Sequence, residues 1–352
     1  MITVAALTSG KNVPSSRFRI RQHREPLQQL GINVREYIPL ISKYASIQGT
    51  SNAAKQKSSR SMFILKKGIK IATRLHGLIG SWKADITWLE RELLPGYLTI
   101  EPLLKRPFIF DVDDAIWSGK PFGESAAIRI AKRADVIIAG NSYIAEWFSQ
   151  YVKRIQIVPT AIDIERFVPK LPQDIKPYGH FTIGWTGSNS NLKYLYEIEN
   201  PLHEFIKTHN AELLIISDQP PAFAHIPPDR IKYIPWSPAF EVKAVQQMDV
   251  GLMPLPLNDW TRGKCSFKML QYMACGIPVI VSPVGMNNDI LSMGSVGLSA
   301  DNNGDWYDGL DYLYNHPDKA YQLGSTGRMI AEKHFSKEKI AAELSRIFKG
   351  LV

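Results

Sequence analysis

Between Tyr37 and Ala84 the chain has neither aspartate nor glutamate, yet the same window holds nine lysines and arginines. Taking those nine from the 42 bases leaves 33, equal to the 33 acids, so this one segment carries the whole net charge of +9. Its bases are not interleaved with aromatic side chains, as stacking on nucleic-acid bases requires, so nucleic acid is not an expected partner. Cysteine is scarce too: Cys265 and Cys275 are the only two. That count supports neither a disulfide framework nor a metal site and points to a reducing, cytoplasmic setting. No uninterrupted apolar run reaches the roughly 18 residues of a membrane span. The opening MITVAALTSG lacks the basic and apolar regions of a secretory signal. What remains, 45% hydrophobic and 21% charged over 352 residues, is a globular composition too long for one core, and two domains are expected.

Inside the acid-free window, Met62, Leu65, Ile69, Ala72, Leu75 and Ile79 recur at helical spacing, with Lys66, Lys67, Lys70 and Arg74 on the other side. Two readings are open. The apolar stripe packs on a sheet and leaves a solvated basic face, or the basic region 55–74 lies against an anionic membrane surface.

Along the chain, β-branched and aromatic runs alternate with helical patterns, which predicts two successive α/β blocks. Strands are expected at 2–7, 32–37, 86–89, 108–112, 136–139 and 155–158. A second series is expected at 181–185, 211–217, 231–234, 250–253 and 279–282. Helices are expected over 126–133, 142–150, 192–209, 242–248 and 267–274, with a helical tail over 305–348. The proline-rich stretch 159–179 suits an exposed connector. The expected architecture is α/β, two Rossmann-like doubly wound domains flanking a cleft. The first covers 1–165 and the second 166–335; the resemblance described below makes them the acceptor-side and nucleotide-sugar-binding domains. A C-terminal helix, 336–352, packs back on the first. Ligands are expected beyond the carboxyl ends of the strands.

The segment Arg262–Gly285, RGKCSFKMLQYMACGIPVIVSPVG, concentrates the chemistry. Arg262 and Lys264 precede a helix whose N-terminal N–H groups and partial positive charge suit phosphate. Gly184, Thr186, Gly187 and Ser188 form a small-residue turn after a strand, where backbone and phosphate approach closely. Asp111, Asp113 and Asp114 cluster at a strand end, where carboxylates position hydroxyls or cap a following helix. Glu90 ends the preceding strand. Arg17, Arg19 and Arg21 in SSRFRIR alternate and cannot all point to one side of a helix. Arg17 and Arg19 are the expected ligand-facing pair. No histidine shows metal-ligand spacing.

From about Phe108 onward the chain resembles family-four glycosyltransferases of the GT-B fold. The resemblance rests on FDVDDAIW, VIIAGNSYIAEWF, VPTAIDIERFVP, IGWTGS, VGLMPLP, LQYMACGIPVIVSPVG and LGSTGRMIAEKHF. It implies transfer of a sugar from a nucleoside diphosphate sugar to a glycan or lipid-linked acceptor, with retention of configuration and without metal or cofactor. Such enzymes place an Arg and a Lys at positions held here by Ser188 and Lys193; Arg262 and Lys264 are placed to supply the missing charge. They also carry two glutamates with seven residues between them, where this chain has Gly263 and Gln271. Asp113 falls at a histidine that faces the reacting sugar, and Trp236 at the nucleobase. The resemblance and the placement of the residues in the pattern together assign Asp113, Glu90, Arg262 and Lys264 to catalysis. Gly187, Ser188, Lys193, Trp236, Lys268, Gln271, Arg17 and Arg19 are assigned to substrate binding. The cysteine count gives a cytoplasmic enzyme, and the membrane reading of region 55–74 would place it at the inner face of the membrane. The missing glutamates motivate an alternative, a weakly active or inactive nucleotide-sugar-binding partner of a glycan assembly.

Overall fold

The structure, a computed structural model, describes residues 1–44, 60–170 and 180–352. Lys55 and Lys57 of the basic region, and the end of the proline-rich connector, lie outside the described residues. The chain forms two compact units, Met1–Ala161 with Lys337–Val352, and Ile162–Ser336. Each is built on six parallel strands.

In the first unit these are β1 (Ile2–Leu7), β2 (Ile32–Tyr37), β3 (Ile86–Glu90), β4 (Phe108–Val112), β5 (Val136–Ala139) and β6 (Ile155–Ile157), in the order β2-β1-β3-β4-β5-β6. β3, β4 and β5 are buried along their whole length, as parallel strands covered on both faces must be. Helix Lys337–Lys349 belongs to this unit. Its stripe of Ile340, Ala341, Leu344 and Phe348 joins Leu27, Trp88 and Ile109 in one core, with Phe348 edge-on to Trp88 at 5.1 Å. Full burial of Phe348 contributes roughly 1.5–3 kcal/mol.

In the second unit the strands are β7 (Phe181–Thr186), β8 (Ala211–Ser217), β9 (Ile231–Pro235), β10 (Val250–Met253), β11 (Val279–Val281) and β12 (Gly297–Ser299), in the order β12-β11-β10-β7-β8-β9. Helix Phe267–Ala274 lies between β10 and β11 in sequence and is buried over its last six residues. Both units are doubly wound, with the order reversing at the first strand of each.

Three local features differ from the sequence reading. The helix expected over 192–209 is two, Leu192–Tyr196 and Glu199–Thr208. Pro201 has no N–H to donate, so it is tolerated only in the first turn of a new helix. Strand β12 and helix Met286–Leu291 carry no clear period and were not expected. The acid-free window forms helices Arg60–Ala72 and Leu75–Trp82, but with the orientation opposite to packing by the apolar stripe. Leu65, Ile69, Leu75 and Ile79 are exposed, while Gly77 and Gly80 are buried. A Cβ at Gly77 would lie 3.1 Å from Leu7 of β1, and one at Gly80 would collide with the Tyr37 ring of β2. The bases opposite are engaged with protein: Lys67 Nζ stands 3.2 Å above the Tyr97 ring and Lys70 Nζ donates to the Lys43 carbonyl at 2.8 Å. Arg74 is buried and donates to the Lys70 carbonyl.

Candidate functional site

In the second unit the candidate residues gather at the carboxyl ends of β7, β9 and β10. Tyr272, on the helix Phe267–Ala274, ties two of these ends together. The Thr186 N–H donates to its hydroxyl at 2.9 Å, and the hydroxyl donates to the Leu252 carbonyl at 3.3 Å. The same helix thereby holds Lys268 over Trp185, with Nζ 4.6 Å from the ring centroid. Gly187 makes room for it: a Cβ there would sit 2.7 Å from Lys268 Cε and 2.8 Å from the Trp185 ring. Burial, and then the charge of Lys264, lower the Lys268 ammonium from its ordinary 10.5 to about 7. Lys264 itself lies 4.5 Å over the Trp260 ring, and Arg262 is exposed at the end of helix Asp259–Arg262.

Ser266, which starts the helix, adopts a left-handed conformation (φ 49°) that costs a non-glycine residue on the order of 1 kcal/mol. Its hydroxyl donates to Asn287 Oδ1 at 2.6 Å, and Asn287 Nδ2 donates to the Ser282 carbonyl at 2.9 Å. Ser266 therefore does not cap the helix with its side chain, and the strain sits where the cations converge. Cys275 is buried, and its thiol is pushed up to about 12, an unreactive group.

Gln271 is buried, and its Nε2 donates to Glu241 Oε1 at 2.8 Å. Glu241 opens helix Glu241–Val245 just beyond β9, is 2% exposed, and accepts from Arg166 at its other oxygen at 2.8 Å. The indole N–H of Trp236 reaches Glu241 Oε1 at 3.4 Å, leaving a ring that is 40% exposed. This explains an amide at position 271: its neighbour is a carboxylate, to which the amide donates and an ionised glutamate could not. Gln271→Glu is accordingly expected to destabilise the protein. One of the two carboxyls would hold a proton, with its folded pKa above the unfolded value. The resulting stability is present at acid pH and lost as pH rises through that raised value. Thermal melts should show a gap to the wild type that widens from about pH 5 to about pH 8; a constant gap would refute the pairing. Sequence reasoning missed Glu241 and Arg166 because they lie 30 and 105 residues from Gln271, with only an acid in a helix's first turn as a signal.

The rest of the phosphate turn is used differently. The Gly187 N–H donates to the Ile216 carbonyl at 3.0 Å, so glycine serves close approach there rather than amide donation. Ser188 is exposed and accepts from Asn191 Nδ2 at 2.9 Å; Lys193 is exposed, 4.9 Å from the Tyr194 ring.

In the first unit, candidate residues lie at the carboxyl ends of β1, β3 and β4. Glu90 is buried and accepts from the Ser9 N–H (2.9 Å) and the hydroxyls of Ser9 (2.8 Å), Ser15 (2.5 Å) and Ser16 (2.6 Å). With both oxygens engaged it fixes the loop after β1, and a base role would require breaking that cradle. Arg19 is 3% exposed and grips Asp111, with Nε at 2.9 Å and an Nη at 2.8 Å; it also donates to the Val158 carbonyl at 2.8 Å. That places Arg19 in the interior of the unit rather than facing a ligand. The Asp111 carboxyl rises to about 6, because burial outweighs the pull of Arg19. Arg17 stacks at 4.9 Å on the Phe18 ring, and Arg21 pairs with Glu36. Asp113 and Asp114 are both paired with Arg91, whose backbone is left-handed (φ 55°). Arg91 draws the Asp113 carboxyl below its ordinary value against the cost of burial. Among the described residues no three His, Cys, Asp or Glu side chains converge as metal ligands would. No helix among them is long and apolar enough to cross a membrane.

Two doubly wound units, one with Lys268 held over Trp185 of its central strand, place the protein in the class of α/β folds whose ligands lie beyond the carboxyl ends of the strands. Residues 180–316 match the family model described as Glycosyl transferases group 1. Sucrose-phosphate synthase from Thermosynechococcus elongatus superposes with a TM-score of 0.71 at 12% identity, over 100% of this chain and 99% of that one. Anabaena HepE in complex with UDP-glucose gives 0.72 at 13%, over 100% of both chains. An E. coli trehalose-6-phosphate protein bound with UDP-2-fluoro glucose gives 0.69 at 11%, over 99% of both. No curated protein sequence matches the chain. Residues 180–316 thus match a group 1 glycosyltransferase domain, and the whole chain has the GT-B fold of these solved glycosyltransferases.

Proposed function

We propose that the second unit binds a nucleoside diphosphate sugar and that the enzyme transfers its sugar to a hydroxyl of a glycan or lipid-linked acceptor. The observation that carries this is Lys268, held over Trp185 beside Lys264 and against Gly187. Departure of the diphosphate concentrates negative charge on its oxygens, and preorganised cations in a water-poor site stabilise it. Lys264, Lys268 and Arg262 supply that charge on this reading, in the place a metal ion would otherwise take. Trp236, steadied by Glu241, offers the base a stacking face, and Gln271 holds Glu241 in place. Ser188 and Lys193 reach the donor's outer phosphate from the exposed turn. In the first unit, Asp113, pinned by Arg91, orients the acceptor hydroxyl. The leaving diphosphate takes the acceptor proton, which suits retention of configuration and requires no base from Glu90.

The similarity of the fold to HepE in complex with UDP-glucose makes uridine nucleotides the first ligands to test. A thermal-shift series over nucleoside diphosphates and their sugars should raise the melting temperature in proportion to RT ln(1 + [L]/Kd). No shift with any of them would overturn the assignment. The lack of a carboxylate at Gly263 and Gln271 favours one second reading, a nucleotide-sugar-binding subunit without turnover. Binding with neither donor hydrolysis nor transfer across an acceptor panel would establish it. A cytoplasmic location fits a donor made in the cytoplasm.

A further inference from the structure

Helices Arg60–Ala72 and Leu75–Trp82 are packed inside out. Leu65 and Ile69 are 58% and 41% exposed, and Leu75, Ile79 and Trp82 are 45%, 58% and 64% exposed. With exposed Ala72, each helix shows apolar side chains at i, i+4 and i+7 along one outward face. Leu103, 57% exposed, adjoins this face, since its carbonyl accepts from Trp82 Nε1 at 3.1 Å. The inward contacts are made by Gly77, Gly80 and Ser81 instead. Single exposed leucines are ordinary, but six large apolar side chains in register mark a surface made to be covered.

The charge around the face says what covers it. No acid occurs from residue 38 to residue 84, while Lys66, Lys67 and Lys70 are partly exposed and Lys83, next to Trp82, is exposed. A symmetric copy of this chain would bring the same bases against each other, which electrostatic complementarity disfavours. An anionic lipid surface satisfies both features: its headgroups attract the bases, and its acyl boundary takes the apolar row, with tryptophan at the interface.

We propose that the outward face of helices Arg60–Ala72 and Leu75–Trp82, with Leu103, docks on an anionic membrane, the apolar side chains entering the headgroup boundary and the lysines flanking them. The contact is made by the apolar face; Arg74, buried, and Lys70, spent on the Lys43 carbonyl, hold the helices rather than the lipid. The proposal does not depend on the identity of the sugar donor.

Co-sedimentation of the full chain with phosphatidylcholine vesicles, with and without phosphatidylglycerol, tests it. Binding should require phosphatidylglycerol and weaken with salt. The double variant Ile79→Ser/Trp82→Ser should partition at least about tenfold less, because two exposed apolar side chains no longer enter the boundary. Lys66→Gln/Lys83→Gln should reduce the preference for phosphatidylglycerol. All four positions are at least partly exposed, so circular dichroism and melting temperature should be unchanged. Tryptophan emission should shift to the blue on adding vesicles, and that shift should shrink in Trp82→Phe. Equal binding to neutral vesicles, or wild-type partitioning of Ile79→Ser/Trp82→Ser, would overturn the proposal. So would a dimer that the same substitutions dissociate while vesicles are ignored, which would assign the face to self-association.

Discussion

Lys268→Met is expected to weaken binding of UDP-glucose by about a hundredfold near pH 6 and, at the same pH, to raise the melting temperature of the unliganded protein. Both effects come from one placement. A charge-assisted contact to a diphosphate contributes about 1.5–3 kcal/mol, which corresponds to roughly 10- to 150-fold in affinity. Held over Trp185 beside Lys264, the ammonium has its pKa lowered to about 7 from an ordinary 10.5. The unfolded chain therefore binds more protons than the folded one between those values, so stability rises with pH across that window. At and below pH 7 the folded protein carries the cost of the charged form, and methionine, of similar length and no charge, removes it. A bound diphosphate reverses the balance by favouring the ammonium. UDP-glucose affinity should thus be flat below about pH 7 and fall by up to tenfold per unit above it, until the raised pKa of the complex is reached. UDP-glucose is the probe because its diphosphate, esterified at both ends, has no proton to lose in this range. Calorimetry in buffers of different ionisation enthalpy should record proton uptake on binding near pH 8. A pH-independent affinity, or an unchanged one in Lys268→Met, would remove Lys268 from the donor site.

The strands were legible in the sequence for a physical reason: buried parallel strands read as short β-branched runs between turns, and Val136–Ala139 and Val279–Val281 do so without a polar interruption. The donor-side segment was legible because turn, cations and helix lie within 24 consecutive residues. What a side chain touches was not. Gln271 meets Glu241 across 30 residues, Glu90 meets Ser9 across 81 and Arg19 meets Asp111 across 92. Each partner is chosen by the winding of a sheet and not by local spacing. Periodicity showed that residues 60–82 have two faces, but which face turns inward is decided by Gly77 and Gly80, whose missing side chains let the Leu75–Trp82 backbone approach β1 and β2.

The buried pair Arg19–Asp111 yields the largest effect on stability. Arg19→Met or Asp111→Leu alone should cost roughly 3–5 kcal/mol, because each leaves the partner's charge or hydrogen-bonding groups buried without compensation. The double variant should recover most of that loss, since two apolar side chains of similar volume carry no desolvation penalty. The raised Asp111 pKa, about 6 against an ordinary 3.8, shows that its ion pair does not fully offset burial. The sign follows: the folded state holds this proton more tightly, so its contribution is present below pH 3.8 and lost as pH rises through 6. The double variant should therefore gain on the wild type across that interval. Melting curves of the four proteins, paired with UDP-glucose affinity, separate this from a ligand role. An interior pair moves the melting temperature and leaves donor affinity alone. If Arg19→Met instead melts like the wild type and loses transfer activity, Arg19 contacts the substrate, and the carboxyl ends of β1 and β4 form a second anion-binding site.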